Sequence, residues 1–146
     1  NWHHGIARWR NPFRSGVAGV IGAERNRSSI LEAISARRTY ATTGAAILLR
    51  VEVDGAPMGS ELPRGTRGEV MIEIDGTAPI ERVVVVTGAG EETVAEPADH
   101  RASLSLPTPP TGATSAPPSD PAVADYFYVR IEQADGEMAW SSPIWL

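Results

Sequence analysis

Three observations predict a mainly β protein: six stretches of alternating apolar and polar residues, turn residues between them at roughly ten-residue spacing, and no helical period beyond Gly44. The expected architecture is an immunoglobulin-like or fibronectin-like β-sandwich over residues 44–146. A loop, a short strand and one α-helix precede it over residues 1–43. Cysteine is absent, so no disulfide or thiolate metal site holds the fold, and its stability must come from the core.

Residues 1–15, NWHHGIARWRNPFRS, show no consistent period and read as a loop that needs a partner surface. Residues 16–22, GVAGVIG, are small and apolar on both sides, as strands of parallel sheets are, and predict a very short buried strand whose neighbours lie elsewhere. A helix is predicted over residues 25–38, where Ile30, Leu31, Ile34 and Arg38 fall at i, i+1, i+4 and i+8. Its N-cap is Asn26, Ser28, or the Ser29 of a Ser29/Glu32 capping box. Arg37 and Arg38 are expected in the last turn, where cations complement the helix dipole.

After Gly44 the period changes to two. Ile47, Leu49, Val51 and Val53 alternate with Leu48, Arg50, Glu52 and Asp54, which predicts a half-buried strand. Further strands are expected over residues 69–75, 81–87, 101–106, 125–133 and 138–145, bounded by Gly, Pro or Asp-Gly. In the fifth of the six, Phe127, Val129 and Ile131 form the inward set. Asp135-Gly136 predicts a hairpin, with room for a loop longer than two residues. Residues 107–121 contain six Pro and predict a stiff, exposed, partly disordered connection.

Composition narrows the function classes. No window approaches the ~18 consecutive apolar residues of a membrane span. All 13 cationic residues are Arg, which a GC-rich coding bias explains as readily as anion contacts do. Residues 1–50 carry eight Arg against two Glu, a net of +6, whereas residues 51–146 carry a net of −11. This split suggests two different objects. With an overall charge of −5 and no aromatic residues interleaved in a basic patch, nucleic acid is not an expected partner.

Candidate chemical groups are few. His3 and His4 carry imidazoles suited to zinc, iron or manganese, but adjacent side chains diverge, so at most one points into a given site. Arg37, Arg38, Tyr40, Thr42 and Thr43 form a polar cluster after the helix. They would either hold a phosphate or make the contact that ties the helix to the sandwich, and the second reading is favoured. Trp140 and Trp145 would face opposite sides of a regular strand, although Pro143 admits a bulge; ligand stacking, such as sugar binding, competes with packing there. Asp99-His100 near Ser103 and Ser105 lacks the convergence of a catalytic triad. Gly88-Ala89-Gly90 lacks the spacing of a phosphate-binding loop and reads as a hairpin turn. The Asp-Gly pairs at Asp54, Asp75 and Asp135 read as turns and not as calcium loops.

Several stretches together resemble the C-terminal part of a domain-of-unknown-function family related to PHP hydrolases, the polymerase and histidinol phosphatase superfamily. The matching stretches are residues 16–20 (GVAGV), 33–38 (AISARR), 40–44 (YATTG) and 54–59 (DGAPMG), with DGEMAWSSPIWL at residues 135–146 similar to that family's last strand. Asp54 stands where the family pattern has Asn, and Val17-Ala18 where it has Leu-Thr. The resemblance implies a parent whose N-terminal domain binds a cluster of divalent metals, zinc, manganese or iron, through His, Asp and Glu, and activates water against a phosphoester. This chain lacks the family's early H-x-H segment. It is therefore expected to be a non-catalytic fragment that needs no cofactor of its own and whose partner is the missing catalytic domain. His3 or His4 would correspond to that domain's last ligand motif.

The first residue is Asn1, without an initiator Met, which also reads as the tail of something longer. A cytoplasmic location is favoured for the parent, and the sequence leaves oligomeric state open. Two alternatives come from other classes. One is a freestanding sandwich that binds carbohydrate or protein through its tryptophans, and the other is a structural or self-associating module.

Overall fold

The computed structural model describes residues 15–22, 24–109 and 125–146. Two antiparallel sheets pack face to face as a sandwich, as the alternation predicts. The strands are β1 (Val17–Val20), β2 (Thr39–Thr42), β3 (Leu48–Val53), β4 (Ala56–Pro57), β5 (Glu69–Asp75), β6 (Ile80–Thr87), β7 (Gly90–Ala95), β8 (Arg101–Pro107), β9 (Tyr126–Gln133), β10 (Met138–Ser141) and β11 (Ile144–Trp145). One helix, α1 (Arg27–Ser35), lies between β1 and β2. The seven-stranded sheet runs β1-β2-β10-β9-β6-β7 with β11 also on β9, and the four-stranded sheet runs β4-β3-β5-β8. Among the described residues no helix is long and apolar enough to cross a membrane.

The inward positions of the alternating strands meet in one core. Leu49, Val51 and Val53 of β3 and Val70, Ile72 and Ile74 of β5 face Val83 and Val85 of β6 and Phe127, Val129 and Ile131 of β9. The predicted β9 triplet is fully buried. Full burial of each such side chain stabilises the fold by roughly 1.5–3 kcal/mol.

The turns follow from their residues. Asp54 and Gly55, with φ of 47° and 83°, link β3 to β4 in a two-residue turn with both central residues left-handed, where Val53 pairs with Ala56. Gly88-Ala89 closes β6 onto β7, where Thr87 pairs with Gly90. The Asp135-Gly136 hairpin has a longer loop, and Gly136 at φ 81° donates to the Gln133 carbonyl over 2.9 Å.

Four expectations need correction. First, β1 is antiparallel to β2 and largely exposed, not a buried parallel strand. Lack of charge marked it as buried, but small apolar side chains equally suit an edge whose outer face is uncovered. Second, residues 39–42, outside every predicted strand, form β2 and add to β10. Third, the helix ends at Ser35, so Arg37 and Arg38 lie beyond its last turn. Fourth, Ser142-Pro143 breaks the last strand. Ala139, Ser141, Ile144 and Leu146 are all buried, so the break shifts the parity and puts Trp140 and Trp145 at outward positions alike. The Pro-rich expectation lies outside the described residues from position 110 onward.

The outer face of β7, β6 and β9 carries an ion-pair network. Arg130 holds Glu91 through two hydrogen bonds of 2.8 Å and reaches Glu132 at 3.0 Å, while Arg82 also pairs with Glu132. The Arg130 hydrogen bonds hold the Glu91 carboxyl below the usual glutamate range. A depressed carboxyl pKa adds stability above its unfolded value, and that contribution is lost as pH falls through the folded value. Nuclear magnetic resonance titration should therefore place Glu91 below a reference glutamate, and Arg130→Gln should return it to the ordinary range and flatten the acid limb of the stability profile. An unchanged Glu91 titration in that variant would contradict the pairing.

Candidate functional site

Three of the sequence segments that carried the resemblance, residues 33–38, 54–59 and 135–146, meet at the C-terminal end of α1. At its start Asn26 is the N-cap: its Oδ1 accepts from the Ser29 amide at 2.8 Å, and its Nδ2 donates to Glu24 at 3.1 Å. Ser29 is thus not the cap, and its hydroxyl accepts from the Glu24 amide at 3.0 Å. At the far end Arg38 N–H donates to the Ala33 carbonyl and Arg37 N–H to that of Ile34, each over 2.9 Å. This is a Schellman closure, with Arg37 left-handed at φ 56° where glycine is usual.

A non-glycine residue in that conformation costs roughly 1–2 kcal/mol, so other contacts must hold it. Arg37 Nε donates to the Gly59 carbonyl at 3.0 Å and Nη2 to Glu61 at 2.7 Å, and its guanidinium carbon stands 4.8 Å from the centre of the Trp145 ring. Gly59, at φ 91°, lies against the helix end. A Cβ there would come within 2.6 Å of the Ala36 carbonyl oxygen and closer still to that of Arg37. The segment after Gly59 then runs beside the C-terminal strand: Gly59 N–H donates to Pro143, Trp145 N–H to Ser60, and Leu62 N–H to Trp145. Glu61 and Trp145 form a parallel bridge.

The other members of the polar cluster have separate partners. Arg38 pairs with Glu32 at 3.2 Å, and its Nε is buried without a hydrogen-bond partner among the described residues. Tyr40 lays its ring over Gly19 of β1, and burial raises its phenol pKa. The buried Thr42 hydroxyl donates to the Ala45 carbonyl at 2.9 Å and accepts from the Gly44 amide at 3.1 Å. The Thr43 hydroxyl donates to the Glu137 carboxylate and accepts from the Met138 amide at 3.0 Å. Every one of these residues lies at the helix end or along β2. Arg37 reaches from the helix end to Gly59 and Glu61, whereas Arg38 pairs back onto the helix and Thr42 and Thr43 bond within the sandwich.

Among the described residues six large apolar side chains are exposed on these and neighbouring elements. Val17 and Val20 of β1, Ile30, Leu31 and Ile34 of α1, and Leu48 of β3 are 36 to 55 % exposed, and Ala33 alone is buried along α1. Val17, Tyr40 and Leu48 line a groove of about 290 Å³ beside β1. Leu48 continues into a groove of about 550 Å³ on the outer face of the four-stranded sheet, beside the Arg50–Glu73 and Arg101–Asp75 pairs.

The remaining candidates are placed as follows. His3 and His4 lie outside the described residues. Among the described residues no three His, Asp or Glu side chains gather in a metal-holding arrangement. Trp140 is partly exposed on β10, while the Trp145 ring is occupied by Arg37. Asp99 accepts from the amide of His100 at 2.6 Å, and the Ser105 hydroxyl donates to Glu69. Sequence reasoning missed the roles of Gly59, Glu61 and Leu48. Gly59 had a signal, since it closes the stretch similar to the family's M-G motif.

Residues 3–53 match the family described as "Protein of unknown function (DUF3604)". The chain is also 34% identical over 142 residues to a protein of Chlamydia muridarum, covering 92% of the chain and 23% of that protein. A Chlamydia pneumoniae protein is 32% identical over 92% of the chain and 23% of its own length. A Chlamydia trachomatis serovar D protein is 30% identical over 99% of the chain and 25% of its own length. All three bear the name "Uncharacterized protein". The chain thus spans about a quarter of the length of the curated relatives it matches. No solved structure matches it.

Replacing Arg37 separates its backbone strain from its side-chain contacts. Arg37→Ala keeps a Cβ in the left-handed region and loses the contacts to Glu61, Gly59 and Trp145. Arg37→Gly loses the same contacts and relieves the strain, so urea unfolding should show it more stable than the Ala variant by about 1 kcal/mol. Equal stabilities would show that Arg37 is not held left-handed.

Proposed function

We propose that this chain is the C-terminal accessory part of a larger PHP-like, metal-dependent hydrolase, a phosphoesterase by the chemistry of that superfamily. In this reading the sandwich contributes no catalytic group and holds the remaining polypeptide through α1, β1 and Leu48. The observation that carries it is the gathering of exposed apolar side chains on the N-terminal elements, while the sandwich interior is filled. Apolar patches of this kind are typical of surfaces that another surface covers. The relatives' fourfold greater length supports a covering region within the same polypeptide. The hydrolase class rests on the resemblance of residues 16–20, 33–38, 40–44 and 54–59. In such a parent, zinc, manganese or iron bound by the remaining region would activate the attacking water.

The purified chain should show no chelator-sensitive hydrolysis of p-nitrophenyl phosphate, whereas the full-length protein should show it. Activity from the chain alone, abolished by chelator, would overturn the non-catalytic role. Leu31→Glu with Ile34→Glu should leave the isolated chain's stability within about 0.5 kcal/mol of the parent sequence, because both side chains are exposed there. In the full-length protein the same pair should lower stability by about 1.5–3 kcal/mol per side chain, read as a drop in thermal midpoint. No difference between the two contexts would remove α1 from the docking face.

A further inference from the structure

We propose that the edge of β1, unpaired among the described residues, is a strand-addition site, filled by an extended segment of the polypeptide that the longer relatives carry beyond the matched region. This deepens the docking reading above and rests on it. The mode of contact is new: backbone hydrogen bonding in addition to apolar cover.

Register identifies the groups that would bond. Thr43 N–H donates to the Met138 carbonyl at 3.0 Å, and the Thr39 carbonyl accepts from Ser142 at 3.1 Å, so the odd-numbered residues of β2 bond to the β10 side. The even-numbered ones therefore turn to β1, and the Arg38 carbonyl accepts from Ile21 at 2.9 Å. The β1–β2 register pairs Val17 with Thr42, Ala18 with Ala41, Gly19 with Tyr40 and Val20 with Thr39. Val17 and Gly19 accordingly exchange bonds with β2. By the alternation of an antiparallel ladder, Ala18 and Val20 direct their N–H and C=O groups away from it.

β7, β8 and β4 carry charges, prolines or an irregularity that discourage pairing, and β1, four residues long, carries none of these. β7 presents Glu91 and Glu92, and the β6–β7 ladder is interrupted by an irregularity between Val83 and Val84. β8 begins with Arg101 and ends at Pro107, and β4 is two residues long and includes Pro57. Charges, prolines, bulges and short length are the usual protections of an exposed edge. Val17-Ala18-Gly19-Val20 has no charge and no proline, and its two valines are exposed. Its occupant is therefore an extended segment with small or β-branched apolar residues, pairing through its backbone. A second copy of this chain is the competing occupant, and the experiment separates the two.

The test is residue-resolved amide hydrogen exchange on the isolated chain and the full-length protein at equal concentration. Ala18 and Val20 should exchange at least about tenfold more slowly in the full-length protein, while Val17 and Gly19 change little. Ala18→Pro removes the outward N–H without touching a β1–β2 bond. In the full-length variant it should return Val20 to the fast exchange of the isolated chain. Protection of β9 and β10 amides in the isolated variant confirms that the sandwich is still folded. Should Ala18→Pro unfold the chain, the wild-type comparison decides alone.

Equal exchange of Ala18 and Val20 in both proteins overturns the proposal. Thiol labelling of Leu31→Cys distinguishes the failures. A cysteine shielded only in the full-length protein, with Ala18 and Val20 unchanged, overturns strand addition and leaves the docking reading standing; a cysteine labelled equally in both removes the docking reading too. Concentration-dependent protection in the isolated chain, with a dimer mass in sedimentation, assigns the edge to a second copy and overturns the proposed occupant.

Discussion

The close approach of Gly59 to the end of α1 is the constraint on which the joining of helix and sandwich depends. One residue's backbone serves three parts of the fold. Its N–H bonds Pro143 ahead of β11, its carbonyl accepts from Arg37, and its Cα occupies space beside the Ala36 and Arg37 carbonyls that no side chain could share. The left-handed Arg37 and the left-handed Gly59 are therefore one arrangement. The first turns the chain out of the helix, and the second brings the chain from β4 beneath that turn. The Asp54-Gly55 turn prepares this by sending β3 back into β4 with the correct twist. Two separate stretches of the family resemblance, residues 33–38 and 54–59, are thereby in contact, which gives a physical reason for their occurring together.

The core was legible because its signal is local. A two-residue period with β-branched residues on one parity marked β3, β5, β6 and β9, and Phe127, Val129 and Ile131 followed from parity alone. Short strands were not legible. β2 is four residues of Thr, Tyr and Ala beside a helix end, and β4 is two residues long, so neither offers a period to count. The parity switch in the last strand is a one-residue register shift against β9, where β10 pairs Trp140 with Arg130 but β11 pairs Ile144 with Phe127, a bulge that alternation alone does not record. The docking face was half visible: Ile30, Leu31 and Ile34 stood out as an apolar stripe, but a stripe does not say whether the surface beneath it lies in the same chain.

Charge distribution illustrates the same limit. The excess of Arg in residues 1–50 suggested a separate unit, yet Arg37 pairs with Glu61 and Arg50 with Glu73, cation from the first segment and anion from the second. Antiparallel pairing of β3 with β5 brings these segments side by side, so opposite charges along the chain become neighbours across the sheet. Exposed pairs of this kind contribute about 0–1 kcal/mol each, and they specify register more than they add stability. A sign change along a sequence is thus weak evidence for a domain boundary where strands from both sides share a sheet.

The stability of α1 bears on why the apolar face needs a cover. Isolated helices shorter than about 12–15 residues are marginal in water, and tertiary packing of an apolar face ordinarily makes up the deficit. α1 has nine residues and buries only Ala33. What holds it is concentrated at its ends, in the Asn26 cap and the Arg37–Gly59 contact, while Ile30, Leu31 and Ile34 between them remain exposed. End contacts fix where the helix sits and how it is turned, but add little along its length. A surface placed over those three residues would supply the missing burial. The helix is thus anchored in position before its face is covered, so a covering partner would meet an ordered surface and lose less conformational entropy on docking.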